Sequence, residues 1–198
     1  NDTRNMILDD MKSRTPNTQD TPLVPIIPEI SLFYIKPYDC EITEDLLSNY
    51  ANNISLVLFF HVGKKTVLLP WDILKEGMKY LINNYVDFKN LLNNDGIDYL
   101  VAPHHGLQTS FSEYLFQTIN GNKTRLNIIS EKIREAGSEE NRSDVDTRYY
   151  SIDYATWENS LNQKWIKTSW WHILIDFETE ETEIIQYTEI KDVINKFI

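Results

Sequence analysis

The stretch Ile97-Asp98-Tyr99-Leu100-Val101-Ala102-Pro103-His104-His105-Gly106 decides how the chain is read. Ile97 to Ala102 has strand character and is stopped by a proline that cannot donate to a sheet ladder. Adjacent residues of a strand point to opposite faces, but at a strand end before Gly106 the chain can turn so that one imidazole faces a site. On the N-terminal side, Ile73, Leu74, Met78, Leu81, Ile82, Tyr85, Phe88, Leu91 and Leu92 recur at helical spacing. They predict one helix over Ile73 to Leu92, or two broken near Asn83-Asn84, with Asp72 as its N-cap and Asn94-Asp95-Gly96 as its end. Further upstream, Ile54 to His61 and Lys65 to Leu69 predict a hairpin of buried strands turned at Gly63, and Ile30 to Ile35 predicts a strand stopped by Lys36-Pro37.

Downstream the alternation repeats. Thr109 or Ser110 caps a predicted helix from Phe111 to Ile119, Gly121 ends it, and Leu126 to Ser130 is a strand. Strand, helix, strand, helix, strand is an α/β signature. Glu131 to Thr147 is charged and reads as an irregular loop. Ile173 to Phe177 and Glu183 to Tyr187 read as a late strand pair, and Ile190 to Ile198 as a short helix. Residues 1–24 are polar and lead into the spaced prolines Pro22, Pro25 and Pro28, so they read as a linker or mobile tail, leaving 25–198 as the folded part.

The 198 residues suffice for one medium domain, and 41% hydrophobic with 25% charged residues excludes a disordered or fibrous chain. A net charge of −11 argues against a broad basic surface for duplex DNA. The longest apolar run, Leu56 to Phe60, is far short of the ~20 residues that span a bilayer. No membrane association is expected. Cys40 stands alone, which excludes an intramolecular disulfide and suits a reducing, cytoplasmic setting. The sequons at Asn53, Asn122 and Asn141 are chance matches in such a setting.

Of the four histidines, His104 and His105 end the central strand, whereas His61 lies inside an apolar run and His172 beside Trp170-Trp171. The latter two read as packed or edge residues. Asp72 follows the strand Lys65 to Leu69 just as the histidines follow theirs. A carboxylate and a His-His-Gly turn at the ends of neighbouring strands can converge on one sheet edge and share a metal such as Zn²⁺ or Mn²⁺. Lys64, Lys65, Lys123, Arg125, Lys132, Arg134, Arg142 and Arg148 read as a solvated charged face, with a phosphate-binding groove as the alternative. The tryptophans from Trp157 to Trp171 suit packing or an interface, or stacking on bases.

The segments Asn52-Asn53-Ile54-Ser55-Leu56-Val57-Leu58, Val67-Leu68-Leu69-Pro70-Trp71-Asp72, the Ile97 to Gly106 stretch and Ile128-Ile129-Ser130 together resemble the metallo-β-lactamase fold. Within it they are most similar to the hydrolase domain of ComEC-like DNA-uptake proteins. The resemblance implies that this chain is the second half of an αββα sandwich, a mixed sheet with covering helices. It implies that Asp72 bridges two metal ions and that His104 or His105 is the last metal-binding histidine, with Asp72 and His105 serving catalysis. Two ions ~3.5 to 4 Å apart suit phosphodiester cleavage in nucleic acid or a nucleotide.

The chain departs from that pattern at Trp71, where the family has glycine, and at Leu107, where it has serine. The family's main His-x-His-x-Asp-His motif is absent from these residues. The expectation is therefore that the first half is supplied upstream or by another protein chain, covering an apolar sheet face that this half leaves open. The alternative is a catalytically inactive structural or regulatory subunit of a defence or DNA-handling complex.

Overall fold

A computed structural model describes residues 30–35, 46, 49–130, 145–156, 165–168, 172–173 and 184–185. The tail 1–24, Cys40, most of the charged loop, Trp157, Trp170, Trp171 and the C-terminal helix expected over Ile190 to Ile198 lie outside them.

The chain is α/β, and its described residues form a mixed six-stranded sheet and four α-helices. The strands are β1 (Ile30–Phe33), β2 (Val57–Val62), β3 (Lys65–Leu69), β4 (Tyr99–Val101), β5 (Leu126–Ile129) and β6 (Trp165–Lys167), side by side in that order. The pairs β1–β2 and β2–β3 are antiparallel, with Leu58 opposite Leu69 and Val62 opposite Lys65. From β3 to β6 all neighbours are parallel. The expected hairpin is present, and Gly63 turns it at φ 61, a left-handed value open to glycine without a Cβ clash. A short α1 (Tyr50–Asn53) precedes β2. Helices α2 (Lys75–Asn84) and α3 (Val86–Asn94) cross from β3 to β4, and α4 (Glu113–Thr118) crosses from β4 to β5. A separate antiparallel pair, β7 (His172–Ile173) and β8 (Ile184–Ile185), overlaps the two runs expected to pair late in the chain, at Ile173 and over Ile184–Ile185.

Alternation along the strands divides the sheet into two buried faces. One face carries Phe59, Leu68, Leu100 and Ile129, against Met78, Leu81 and Ile82 of α2, Phe88 and Leu92 of α3, and Leu115 and Phe116 of α4. The opposite face carries Val67, Tyr99, Leu126, Ile128 and Ile166, with Ile173 of β7 packed against them. These residues are buried, Tyr99 and Leu126 completely so. The open apolar face expected of an isolated half is therefore not found here, and the expectation of a partner rests on the resemblance alone. None of the described helices is long and apolar enough to cross a membrane.

Two expected helix starts are displaced, the first by a tertiary contact and the second by hydrogen bonds within the preceding turn. The N-cap of α2 is Leu74, not Asp72, and the Leu74 amide donates to Oδ1 of Asn53, at 3.3 Å and 21 residues away in sequence. The Asn53 amide group in turn donates to the Leu46 carbonyl at 3.3 Å, so one buried side chain fixes the entry to α2. Helix α4 is capped by Ser112, whose hydroxyl accepts from the Leu115 amide, because Ser110 is engaged elsewhere. The break between α2 and α3 falls at Tyr85, one residue beyond Asn83-Asn84. There the Tyr85 hydroxyl donates to the Tyr34 carbonyl just past β1, at 2.8 Å.

The Asn53 bracket generates a prediction of sign. Gly77 lies in α2 against it, and a Cβ there would meet Asn53 Oδ1 at 2.6 Å and Ile73 Cγ1 at 2.8 Å. In an open helix Gly→Ala is favourable by about 1 kcal/mol. Here Gly77→Ala is expected to destabilise by about 1 to 2 kcal/mol net, because the overpacked neighbour is held at both ends by hydrogen bonds. A lower urea midpoint for Gly77→Ala verifies this, and a higher one refutes it.

Candidate functional site

Because β3, β4 and β5 run parallel, their carboxyl ends share one edge of the sheet, the edge at which α/β folds place ligands. The residues leaving those ends are Trp71 and Asp72, His104 and His105, and Ser130. They are brought together by backbone. The His104 amide donates to the Trp71 carbonyl at 2.7 Å, joining the turn after β3 to the turn after β4. The imidazole Nδ1 of His105 lies 2.6 Å from the Ser130 carbonyl, joining the turn after β4 to the end of β5.

This edge holds unusual backbone. Trp71 has φ 50, and His104 and His105 have φ 45 and φ 61 inside a short 3-10 turn, Pro103–Gly106. Left-handed geometry costs a residue with a Cβ about 1 to 2 kcal/mol, so such a run persists only where surrounding contacts over-determine it. Those contacts are present. The Leu107 amide donates to His104, and the Ser110 hydroxyl lies 2.7 Å from both the Pro103 and the Leu107 carbonyls. From the far side, the Asp146 amide donates to the Gly106 carbonyl at 2.8 Å, and Val145 bridges to Leu107. Gly106, at φ 77, passes so close to Val145 that a Cβ would approach its Cγ1 to 3.1 Å.

The two histidines are chemically distinct. A carbonyl oxygen only accepts, so His105 Nδ1 carries the proton in its bond to Ser130, which leaves Nε2 as the lone-pair nitrogen of the neutral ring. An imidazole held by Nδ1–H on a carbonyl is the usual arrangement of a metal-binding histidine. His105 is exposed, whereas His104 is half-buried and its Nδ1 is buried with no hydrogen-bond partner among the described residues. Asp72 is exposed in the turn between β3 and α2. The donor chemistry of Asp72 with the histidine pair thus fits one side of a metal centre. Among the described residues, no group of three or more His, Cys, Asp and Glu side chains is placed to hold an ion.

His61 belongs elsewhere. It pairs in register with Thr66, at the opposite edge of the sheet, and its Nδ1 lies 3.3 Å from Asp95 at the end of α3. The side chain of His172 is not among those described. At that opposite edge a polar cleft of ≈ 410 Å³ is lined by Asp95, Asp98, Lys123 and Arg125 among others. Its acids have partners, Asp95 on His61 and Asp98 on the Thr66 amide and hydroxyl, and Lys123 donates to the Ile152 carbonyl.

Sequence reasoning missed the buttress behind the histidine turn. Asp146 accepts from Arg148 Nε at 2.9 Å and from its terminal nitrogen at 2.7 Å, and the guanidinium lies 3.9 Å over the Phe111 ring. Arg148 is therefore committed to structure and not to a phosphate groove. Its hydrogen bonds hold the Asp146 carboxyl below its ordinary range. Burial pushes the neighbouring Tyr149 phenol above its ordinary value. The charged, apolar-poor composition of the segment gave no sign of this role.

Compared with models of known protein families, with curated proteins and with solved structures, the chain matches none.

Two predictions follow from this geometry. Glycine adopts the Trp71 conformation without the Cβ penalty, so Trp71→Gly is expected to stabilise the fold by up to about 1 kcal/mol, read as a raised urea midpoint. Because the Asp146 carboxyl is depressed in the folded state, its stabilisation is fully present above the unfolded carboxylate value and is lost as pH falls through the folded one. Asp146→Asn is therefore expected to lower stability at neutral pH and to flatten the acid limb of the stability curve. Parallel curves for the two proteins from pH 7 to pH 2 would contradict this.

Proposed function

We propose that the chain is part of a metal-dependent hydrolase of the metallo-β-lactamase fold, acting on phosphodiester bonds in nucleic acid or a nucleotide. The observation that carries this reading is the His105 ring, fixed through Nδ1 on Ser130 with Nε2 left as its lone-pair nitrogen, on the strand edge that also holds Asp72. His105 Nε2 and the Asp72 carboxylate would hold Zn²⁺ or Mn²⁺, with His104 contributing its unpartnered Nδ1. Bound there, two ions would supply hydroxide near neutral pH and neutralise charge that develops on the phosphate. The role of this chain is positional: the strained turns hold the imidazoles and the carboxylate at one edge before substrate arrives. The remaining ligands come from the first half of the fold, upstream in the same polypeptide or on another protein chain. A cytoplasmic setting goes with this reading, on the strength of the lone Cys40.

The second reading, a catalytically inactive structural or regulatory subunit, is favoured by the incomplete ligand group among the described residues and by Trp71 in the place of a glycine.

Native mass spectrometry of the complete polypeptide or complex, followed by a metal-supplemented phosphodiesterase assay, separates the two. The hydrolase reading expects stoichiometric zinc or manganese. Asp72→Ala and the paired changes His104→Ala and His105→Ala are each expected to reduce turnover at least about a hundredfold, with the circular dichroism spectrum intact. Undiminished turnover in these variants, or a metal-free and inactive complete complex, overturns it.

A further inference from the structure

We infer that the Trp71 indole is a stacking platform for a nucleobase, so that the ligand of this edge is a nucleotide recognised through its base. The inference rests on the hydrolase reading for the identity of the edge as a ligand site.

Two unfavourable features coincide at Trp71. Its backbone is left-handed at φ 50, and the residue is 61% exposed, although tryptophan has one of the largest apolar surfaces of any residue. Fold stability accounts for neither. Among the described residues the indole makes no hydrogen bond and no ring contact. Its base is nevertheless fixed: the Trp71 carbonyl accepts from the His104 amide at 2.7 Å, and the Ile73 amide closes a turn onto Pro70 at 3.3 Å. A flat aromatic face is thereby carried on a tied backbone, one residue from Asp72 and one hydrogen bond from the histidine turn.

The surroundings select the kind of ring. Among the described residues, Leu56, just before β2, is the other exposed apolar residue of this edge; Leu69, Val101 and Leu107 are half-buried there, and Asp72, His105, Gln108 and Thr109 are exposed. Protein-docking patches extend over several hundred Å² of contiguous apolar surface, and among the described residues one exposed indole with one exposed leucine does not make one. It suits a small planar ring with polar edges. Charge points the same way. With a net charge of −11 and Arg148 bound to Asp146, the chain is poorly equipped to grip a phosphate chain by counterion release. Stacking does not depend on charge, and every base presents a π face.

The test is isothermal titration of the complete polypeptide or complex with AMP and, separately, with ribose 5-phosphate, which lacks the base, at about 50 and 200 mM salt. AMP is expected to bind at least about tenfold more tightly than ribose 5-phosphate. Trp71→Ala is expected to remove that difference and Trp71→Phe to keep most of it, with little change between the two salt concentrations. Equal affinity for the two ligands, no binding of AMP, or an unchanged AMP affinity in Trp71→Ala overturns the inference. Turnover is scored in parallel, so the two readings fail separately. Trp71-dependent AMP binding without hydrolysis leaves the platform standing and removes the hydrolase. Hydrolysis with an unchanged KM in Trp71→Ala removes the platform alone.

Discussion

The hydrogen bond from the His104 amide to the Trp71 carbonyl is the contact on which the candidate site depends. Parallel pairing places the ends of β3 and β4 side by side but does not fix the directions in which the chain leaves them. The bond does so, and it joins two turns that are each unfavourable alone. Trp71 at φ 50 and His104 at φ 45 would relax to ordinary backbone if either were free. What keeps them is a ring of further contacts: His105 on Ser130, Ser110 on the Pro103 and Leu107 carbonyls, and the Asp146 amide on Gly106. These contacts reinforce that bond from three strand ends and from a buttress over 145–150, so the strain it holds is shared.

Much of this was legible in the sequence where local rules govern. The β-branched and leucine-rich run Lys65 to Leu69, the apolar run Ile97 to Ala102, helical spacing from Ile73 to Leu92, and glycines at 63 and 96 placed strands, helices and turns where the structure has them. Boundaries failed where another residue takes over the expected role. Asp72 has the chemistry of an N-cap, yet the Leu74 amide is met by Asn53, and Thr109 and Ser110 yield to Ser112 because the Ser110 hydroxyl is drawn to the histidine turn. The Asn53 contact spans 21 residues, beyond any local window, whereas the Ser110 contacts span three and seven and depend on the backbone of the histidine turn, which spacing does not show. The Asn52-Asn53 segment that contributes to the family resemblance thus has a physical role in this chain, as the bracket at the entry to α2.

The site was legible as residue types at strand ends, and illegible in its protonation and its support. Spacing alone could not separate His104 from His105, because the difference between them is made by the Ser130 carbonyl, 25 residues from His105. The expectation of an open apolar face failed for a similar reason. Val67, Tyr99, Leu126, Ile128 and Ile166 do form an apolar face, as parallel strands with two buried sides require, but Ile173 packs against it from a strand late in the same chain. A hydrophobic pattern shows that a face must be covered. It does not say by what.

The departures from local rules are not scattered. Among the described residues, four that are not glycine have left-handed backbone. Asn122 is of a type that tolerates the conformation, and the other three, Trp71, His104 and His105, all lie at one edge. The core obeys its rules throughout, with Phe88, Leu92, Leu100 and Ile129 in one close-packed face. Among the described residues, backbone strain at residues that do not tolerate it is confined to this one edge, where the fold has accepted instability that packing does not require. At that edge stand an exposed carboxylate, an imidazole with its proton assigned, a buried imidazole nitrogen without a partner, and an indole open to solvent. The concentration of strain on side chains able to bind metal and ring, and not on inert ones, is what the proposed reading of this edge would explain and an incidental turn would not.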